Sequence, residues 1–143
     1  MRKRLPMILI RVIVGVVFLT EGILKFMQPG ELGVGRFAHI GIPYPQVLAP
    51  LVGVVELVAG GAMILGFYAG DAALLLLCVI AVALFTTKLP ILLGHSVGRF
   101  SAPHMSRYGL FSFLHEARTD LCMLFGCTAV LLDSGLRFGK KPW

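Results

Sequence analysis

The sequence predicts an all-α integral membrane protein, folded as a bundle of four helices. Of its 143 residues, 57% are hydrophobic and only 14% are charged. Soluble globular domains carry charge on about a quarter of their residues. The chain also contains four apolar runs of roughly 20 residues, the length that a helix needs to cross about 30 Å of hydrocarbon.

The four predicted helices follow one another within a single transmembrane domain, residues 1–143. They cover about residues 5–26, 47–67, 72–93 and 114–132. The joints contain Gly and Pro, which favour turns and end helices, as in MQPGELGVG, YAGD and GHSVGRFSAPHM. The first run follows basic residues, as a signal peptide does, but Glu21 and Lys25 stand where a cleavage site would need small residues. We therefore expect the first run to remain as a helix.

The distribution of basic residues predicts that both termini are cytoplasmic. Four helices bring both ends of the chain to one side, which holds Arg2, Lys3, Arg4, Arg137, Lys140 and Lys141. The loops on the other side hold Arg36, Arg99 and Arg107. Cytoplasmic segments of membrane proteins carry the excess of Lys and Arg. We expect a multi-pass protein of the inner (cytoplasmic) membrane, whose net charge of +6 serves contact with lipid headgroups and no nucleic acid.

Each predicted helix also carries ionisable side chains. They are Arg11, Glu21 and Lys25 in the first, Glu56 in the second, Lys88 in the third, and His115, Glu116, Arg118 and Asp120 in the fourth. A lone charge at the bilayer centre costs at least about 2.5 kcal/mol, so such groups turn inward and pair. Because alternate helices run in opposite directions, most of these groups fall in the half of the bundle next to the long loops. We expect a charged inner column there.

Glycines predict which helix faces meet. Gly15 and Gly22 lie on one stripe of the first helix, and Gly53 and Gly60 flank Glu56 on the second. Small residues let helix backbones approach closely in a membrane. The first two helices should therefore pack through these stripes, which would bring Glu56 toward the charged column.

Two segments carry a family resemblance. RVIVGVVFLTEGILKF and GIPYPQVLAPLVGVVELVAGGAMILG resemble the DoxX family of small four-helix integral membrane proteins. The matching positions are Arg11, Gly22, Lys25, Phe26, Gly41, Pro43, Glu56, Gly60, Gly61 and Gly66. The likeness covers about half the chain and implies an association with quinone-linked oxidoreductases of respiratory complexes.

A quinone site is the function that this resemblance implies. A quinone headgroup needs a polar pocket in an apolar wall and a proton donor or acceptor at each carbonyl. We expect the proton-handling, catalytic groups to be Lys25, Glu56, His115 and Glu116. We expect the quinone, which is not covalently bound, to be surrounded by Glu21, Lys25, Glu56, Lys88 and Asp120.

The electron source would lie outside the chain. The sequence has no haem-binding CxxCH, no four-cysteine cluster and no dinucleotide glycine motif. Electrons would therefore come from other membrane subunits or from a soluble redox protein on the outer loops. Whether this oxidoreductase subunit is itself an enzyme stays open. Without a CxxC pair, Cys78, Cys122 and Cys127 are expected to be small buried thiols.

Three other functions stay open. The chain could be a non-catalytic accessory or assembly subunit, because buried ion pairs can specify packing without chemistry. It could carry a metal through His95, His104 and Met105, with His39 or His115 as a further ligand, but their spacing defines no geometry, and we predict no metal site. Transport would require the small bundle to oligomerise, because the chain has no internal repeat.

Overall fold

The computed structural model describes residues 4–135 and contains no β-strand among them. The helices are α1 (Leu5–Met27), α2 (Val34–Ile40), α3 (Pro45–Leu65), α4 (Ala69–Ala83), α5 (Leu89–Leu93) and α6 (Leu110–Asp133). A π-helical turn, Leu84–Lys88, joins α4 to α5 without a break. The all-helical fold predicted from the sequence is confirmed.

Three helical segments are long and apolar enough to cross a membrane. They are Leu5–Met27, Pro45–Leu65 and the continuous segment Ala69–Leu93. The fourth long helix, α6, has 24 residues but carries Glu116, Arg118 and Asp120 in its first three turns. The predicted orientation depends on Arg2, Lys3, Arg137, Lys140 and Lys141, which lie outside the described residues. It therefore stays a prediction.

The long helices form a ring in which α1 packs on α3, α3 on α4, α4 on α6, and α6 on α1. The buried apolar core joins all four, through Val14, Met63, Leu76 and Cys127 among others. These residues lie toward the end of the bundle where α3 joins α4. The opposite end carries α2 and residues 94–109, and we call it the loop end.

The glycine stripes of α1 and α3 meet as the sequence predicts. A Cβ atom on Gly15 would lie 2.6 Å from the carbonyl oxygen of Gly60. A Cβ on Gly22 would lie 2.9 Å from that of Gly53. No side chain fits at these distances, so the two backbones are in direct contact. The contact turns Glu56 into the bundle.

Two features of the fold were not predicted. The first long loop contains α2, a short helix that Gly41 ends in the left-handed region at φ 98°. The second is the π turn, where the Leu89 N–H bonds to the Leu84 carbonyl, five residues earlier. Pro90 follows it and cannot donate to Thr86, and its ring crowds that carbonyl, which favours the wider turn.

Candidate functional site

A cavity of about 620 Å³ occupies the loop-end half of the bundle. Its wall is formed by α1, α2, α3, α4 with the π turn, and α6. The apolar part of the wall includes Val17, Phe18, Leu48, Val52, Val79, Ile80, Val82 and Met123. The charged part is formed by Glu21, Lys25, Arg36, Glu56, Lys88, Glu116 and Asp120. The cavity is therefore amphipathic, with groups of both charges.

Lys25 and Glu56 form the buried ion pair of this cavity. The Lys25 Nζ lies 2.7 Å from the Glu56 Oε2, and the two side chains are 11% and 5% exposed. The approach lies off the direction of a normal hydrogen bond, and no other donor reaches Oε2. The pair joins α1 to α3 at the point where Gly22 and Gly53 bring these helices together. Glu21 is a weaker partner, because its Oε2 lies 3.8 Å from the same ammonium and its side chain is 49% exposed.

A second ion pair lies on the wall formed by the π turn and α6. The Lys88 Nζ lies 3.6 Å from the Asp120 Oδ2. Lys88 ends the π turn, and the neighbouring Thr86 and Thr87 line the same cavity. Their hydroxyls donate to the carbonyls of Val82 and Ala83, at 2.8 and 2.6 Å. The widened turn thus presents three consecutive side chains to the cavity, and the two hydroxyls bond backbone carbonyls of the disturbed helix.

A smaller cavity of about 230 Å³ adjoins the first one on the side of the loops. Five residues line both cavities: Arg36, Ile40, Thr87, Lys88 and Glu116. Its other walls include His39 of α2 and residues 101–103 of the second long loop. The two spaces therefore share a polar boundary.

The structure brings most of the predicted site residues together. Glu21, Lys25, Glu56, Lys88, Glu116 and Asp120 all line the larger cavity. His115 does not line either described cavity; its side chain is exposed, and its carbonyl accepts a hydrogen bond from the Arg118 guanidinium. A helix turns about 100° per residue, so His115 and Glu116 point to different sides of α6.

Sequence reasoning missed the contribution of α2 and the hydroxyls of the π turn. Arg36, Phe37 and Ile40 of α2 close the cavity at the loop end. The spacing of these three residues at one helical face was a signal that could have been found in the sequence. The π turn gives no comparable signal except Pro90.

The cysteine prediction was partly wrong. Cys127 is buried in the core, but Cys78 and Cys122 are exposed on the bundle surface. Cys78 also lines the larger cavity, whereas Cys122 does not. The reason is that α4 and α6 each bury one narrow face, and these two thiols lie beside it. Within residues 4–135, no group of three or more His, Cys, Asp or Glu side chains is placed to hold a metal ion.

Comparison with known proteins gives two matches and one negative result. The model of the family DoxX matches residues 7–89. The uncharacterized membrane protein Rv3486 of Mycobacterium tuberculosis is 45% identical over 124 residues, which cover 87% of this chain and 72% of that protein. No solved structure matches significantly. The family match covers α1 from Met7, then α2, α3, α4 and the π turn up to Leu89, and it ends before α6.

Proposed function

Because this chain belongs to the DoxX family of membrane proteins, we propose that it is the membrane subunit of a quinone-linked oxidoreductase and holds the quinone headgroup in its larger cavity. The quinone-linked role is what the resemblance of its first two long helices implies. The observation that carries the proposal is one cavity that combines an apolar wall with two acid–base pairs.

The two ion pairs supply the groups that a quinone requires. Each carbonyl oxygen of a quinone gains a proton when the ring is reduced and loses it when the ring is oxidised. Lys25 and Lys88 offer ammonium donors from two different walls, and Glu56 and Asp120 offer carboxylates beside them. A general acid or base acts only within hydrogen-bond reach of the oxygen concerned. A ring held between the two pairs would meet this condition at both oxygens.

The size and opening of the cavity also suit such a ligand. Ligand cavities commonly measure about 300–1,000 Å³, and this one measures about 620 Å³. Val82 lines the cavity while remaining 58% exposed, and Cys78 is likewise exposed. This edge of α4 offers an apolar tail a way out to the lipid. The electrons would pass through other membrane subunits or a soluble redox protein at the loop end.

Cys78 provides a native reporter for the test. The protein is purified in detergent micelles, a short-chain quinone is titrated in, and alkylation of the cysteines by N-ethylmaleimide is followed by mass spectrometry. The quinone should slow alkylation of Cys78 and leave Cys122 unaffected, because only Cys78 lines the cavity. In Lys25→Met, the quinone concentration needed to protect Cys78 should rise about 10- to 100-fold. This is the factor in affinity, about 10- to 100-fold, that a hydrogen bond from a charged group contributes.

The matched control is Arg118→Gln on α6. Arg118 is exposed and does not line the cavity, so this variant should bind quinone as the parent does. Equal alkylation of Cys78 with and without saturating quinone would contradict the proposal. In that case the non-catalytic accessory role is favoured, and co-purification with a larger membrane complex without bound quinone would support it.

A further inference from the structure

We infer that the smaller cavity is an aqueous passage, through which water and protons move between the loop-end surface and the acid–base pairs of the larger cavity. The inference rests on the proposed function, because reduction or oxidation of a quinone moves protons as well as electrons. The four side chains that form the two ion pairs are buried or half-buried. Their protons therefore require a polar route to water.

The first step is that the two cavities adjoin. They share the side chains of Arg36, Ile40, Thr87, Lys88 and Glu116 as a common wall. One of these, Lys88, belongs to the second ion pair. On its far side the smaller cavity is bounded by His39, Ser101 and Pro103, which are exposed. It therefore extends from an ion pair of the larger cavity to the protein surface.

The second step is that the shared wall can hold water. Of its five residues, three are charged and Thr87 carries a hydroxyl. A buried water needs two to four polar partners and occupies about 30 Å³ of liquid volume. A space of about 230 Å³ can thus contain several waters in a chain. The apolar wall of the larger cavity offers no comparable set of partners.

The third step is the position of Glu116. It lines both cavities and is exposed. Asp120, the partner of Lys88, follows it by one helical turn on α6, so the two carboxylates lie on the same face. Water at Glu116 therefore connects directly to the second ion pair. Glu116 and then the Lys88–Asp120 pair thus follow one another from the loop end inward.

The test measures access of a water-soluble reagent to a thiol placed inside the larger cavity. Thr86→Cys is suitable, because Thr86 is buried and lines the larger cavity but not the smaller one. Cys78 and Cys122 are changed to Ser, and Cys127 stays as a buried thiol that should not react. Membrane vesicles of each sidedness are treated with a charged methanethiosulfonate. The new thiol should react only when the reagent is added on the loop-end side.

A substitution that fills the smaller cavity, compared with a matched control, identifies the route of the reagent. Ala102→Trp fills the smaller cavity and should slow the reaction at least about tenfold, because an occupied cavity excludes water. His104→Trp adds the same bulk in the same loop away from the cavity and should leave the rate unchanged. Thr87→Cys, at the shared wall, repeats the test if the first variant does not fold.

Two results would overturn the inference. One is that folded protein with either new thiol does not react from the loop-end side. The other is that Ala102→Trp leaves the rate unchanged, which would mean that the reagent enters elsewhere. Quinone protection of Cys78 in the parent protein, together with failure of the access test in the Thr86→Cys and Thr87→Cys proteins, would overturn the passage alone. Normal reaction of the thiol in protein that binds no quinone would overturn the proposed function and leave the passage in place.

Discussion

The Lys25 ammonium lies within ion-pair distance of two carboxylates, those of Glu21 and Glu56. The spacing of Glu21 and Lys25 on one helix predicts an intrahelical pair, yet the ammonium lies closer to Glu56, at 2.7 Å against 3.8 Å. Glu56 is almost completely buried, whereas Glu21 is half exposed at the cavity. A carboxylate that cannot reach water depends more on its counter-charge. The sequence predicts that Glu56 needs a partner, but not which base supplies it.

Removal of one member of this pair should destabilise the protein strongly. Lys25→Met leaves Glu56 as an uncompensated buried charge, and the expected loss is about 3–5 kcal/mol in the free energy of unfolding. The double variant Lys25→Met, Glu56→Gln should lose less than Lys25→Met alone, because no unpaired charge remains. Thermal unfolding in detergent, followed by circular dichroism, measures all three proteins.

Glu21→Gln serves as the control for this experiment. Its carboxylate is half exposed and 3.8 Å from the ammonium, so its loss should cost less than about 1 kcal/mol. A Glu21→Gln variant as unstable as Lys25→Met would show that the intrahelical pair is the important one. Equal losses in the single and double variants would show that Glu56 is not charged in the folded protein.

At the scale of the elements, α1 and α3 are joined by backbone contact. Apolar periodicity and the glycine stripes predicted this pairing, because both are local patterns along one helix. The π turn was not predicted, since it depends on local geometry that hydrophobicity does not encode. The helix α2 was missed although Arg36, Phe37 and Ile40 lie on one helical face. Pro90 does not interrupt the helix, because the wider π turn before it relieves the crowding between the proline ring and the Thr86 carbonyl. Three cavity side chains, Thr86, Thr87 and Lys88, owe their positions to that turn.

The glycine contact gives a prediction with a matched control. Gly15→Ala places a Cβ 2.6 Å from the Gly60 carbonyl oxygen and should cost about 1–3 kcal/mol, because the backbones must separate. Gly61→Ala meets no atom within 4 Å and should be neutral or stabilising by up to about 1 kcal/mol. Unfolding midpoints in mixed micelles of increasing SDS fraction compare the two. Equal midpoints would mean that α1 and α3 can move apart without cost.

The whole molecule is divided into two halves. The half distant from the loops contains the dry core around Val14, Met63 and Leu76, and the loop-end half contains the cavities and charges. The sequence predicted this division, because antiparallel helices place Lys25, Lys88 and Asp120 at one level. It did not predict that His115 would point away from the cavity, since this depends on how α6 is rotated about its axis.

The orientation of the two halves can be measured in cells. The loop end should face away from the cytoplasm, because the basic residues near the termini exceed those of the loops. An epitope inserted at Gly98, where an added side chain would meet no atom within 4 Å, should bind antibody on intact spheroplasts. An epitope at the C-terminus should bind antibody only after the membrane is permeabilised. The opposite pattern would place the cavity mouth on the cytoplasmic side.

The ion pair between α1 and α3 also bears on biosynthesis. The ribosome delivers α1 to the translocon before α3 has been translated, so Lys25 arrives in the membrane before Glu56 exists. During that interval Glu21, one turn away, is the carboxylate within its own helix that can neutralise it. We therefore expect Glu21 to act as the counter-ion of Lys25 until the later helix docks. In the finished protein Glu21 stays within 3.8 Å of the ammonium as the weaker and more exposed partner, while Glu56 lies at 2.7 Å.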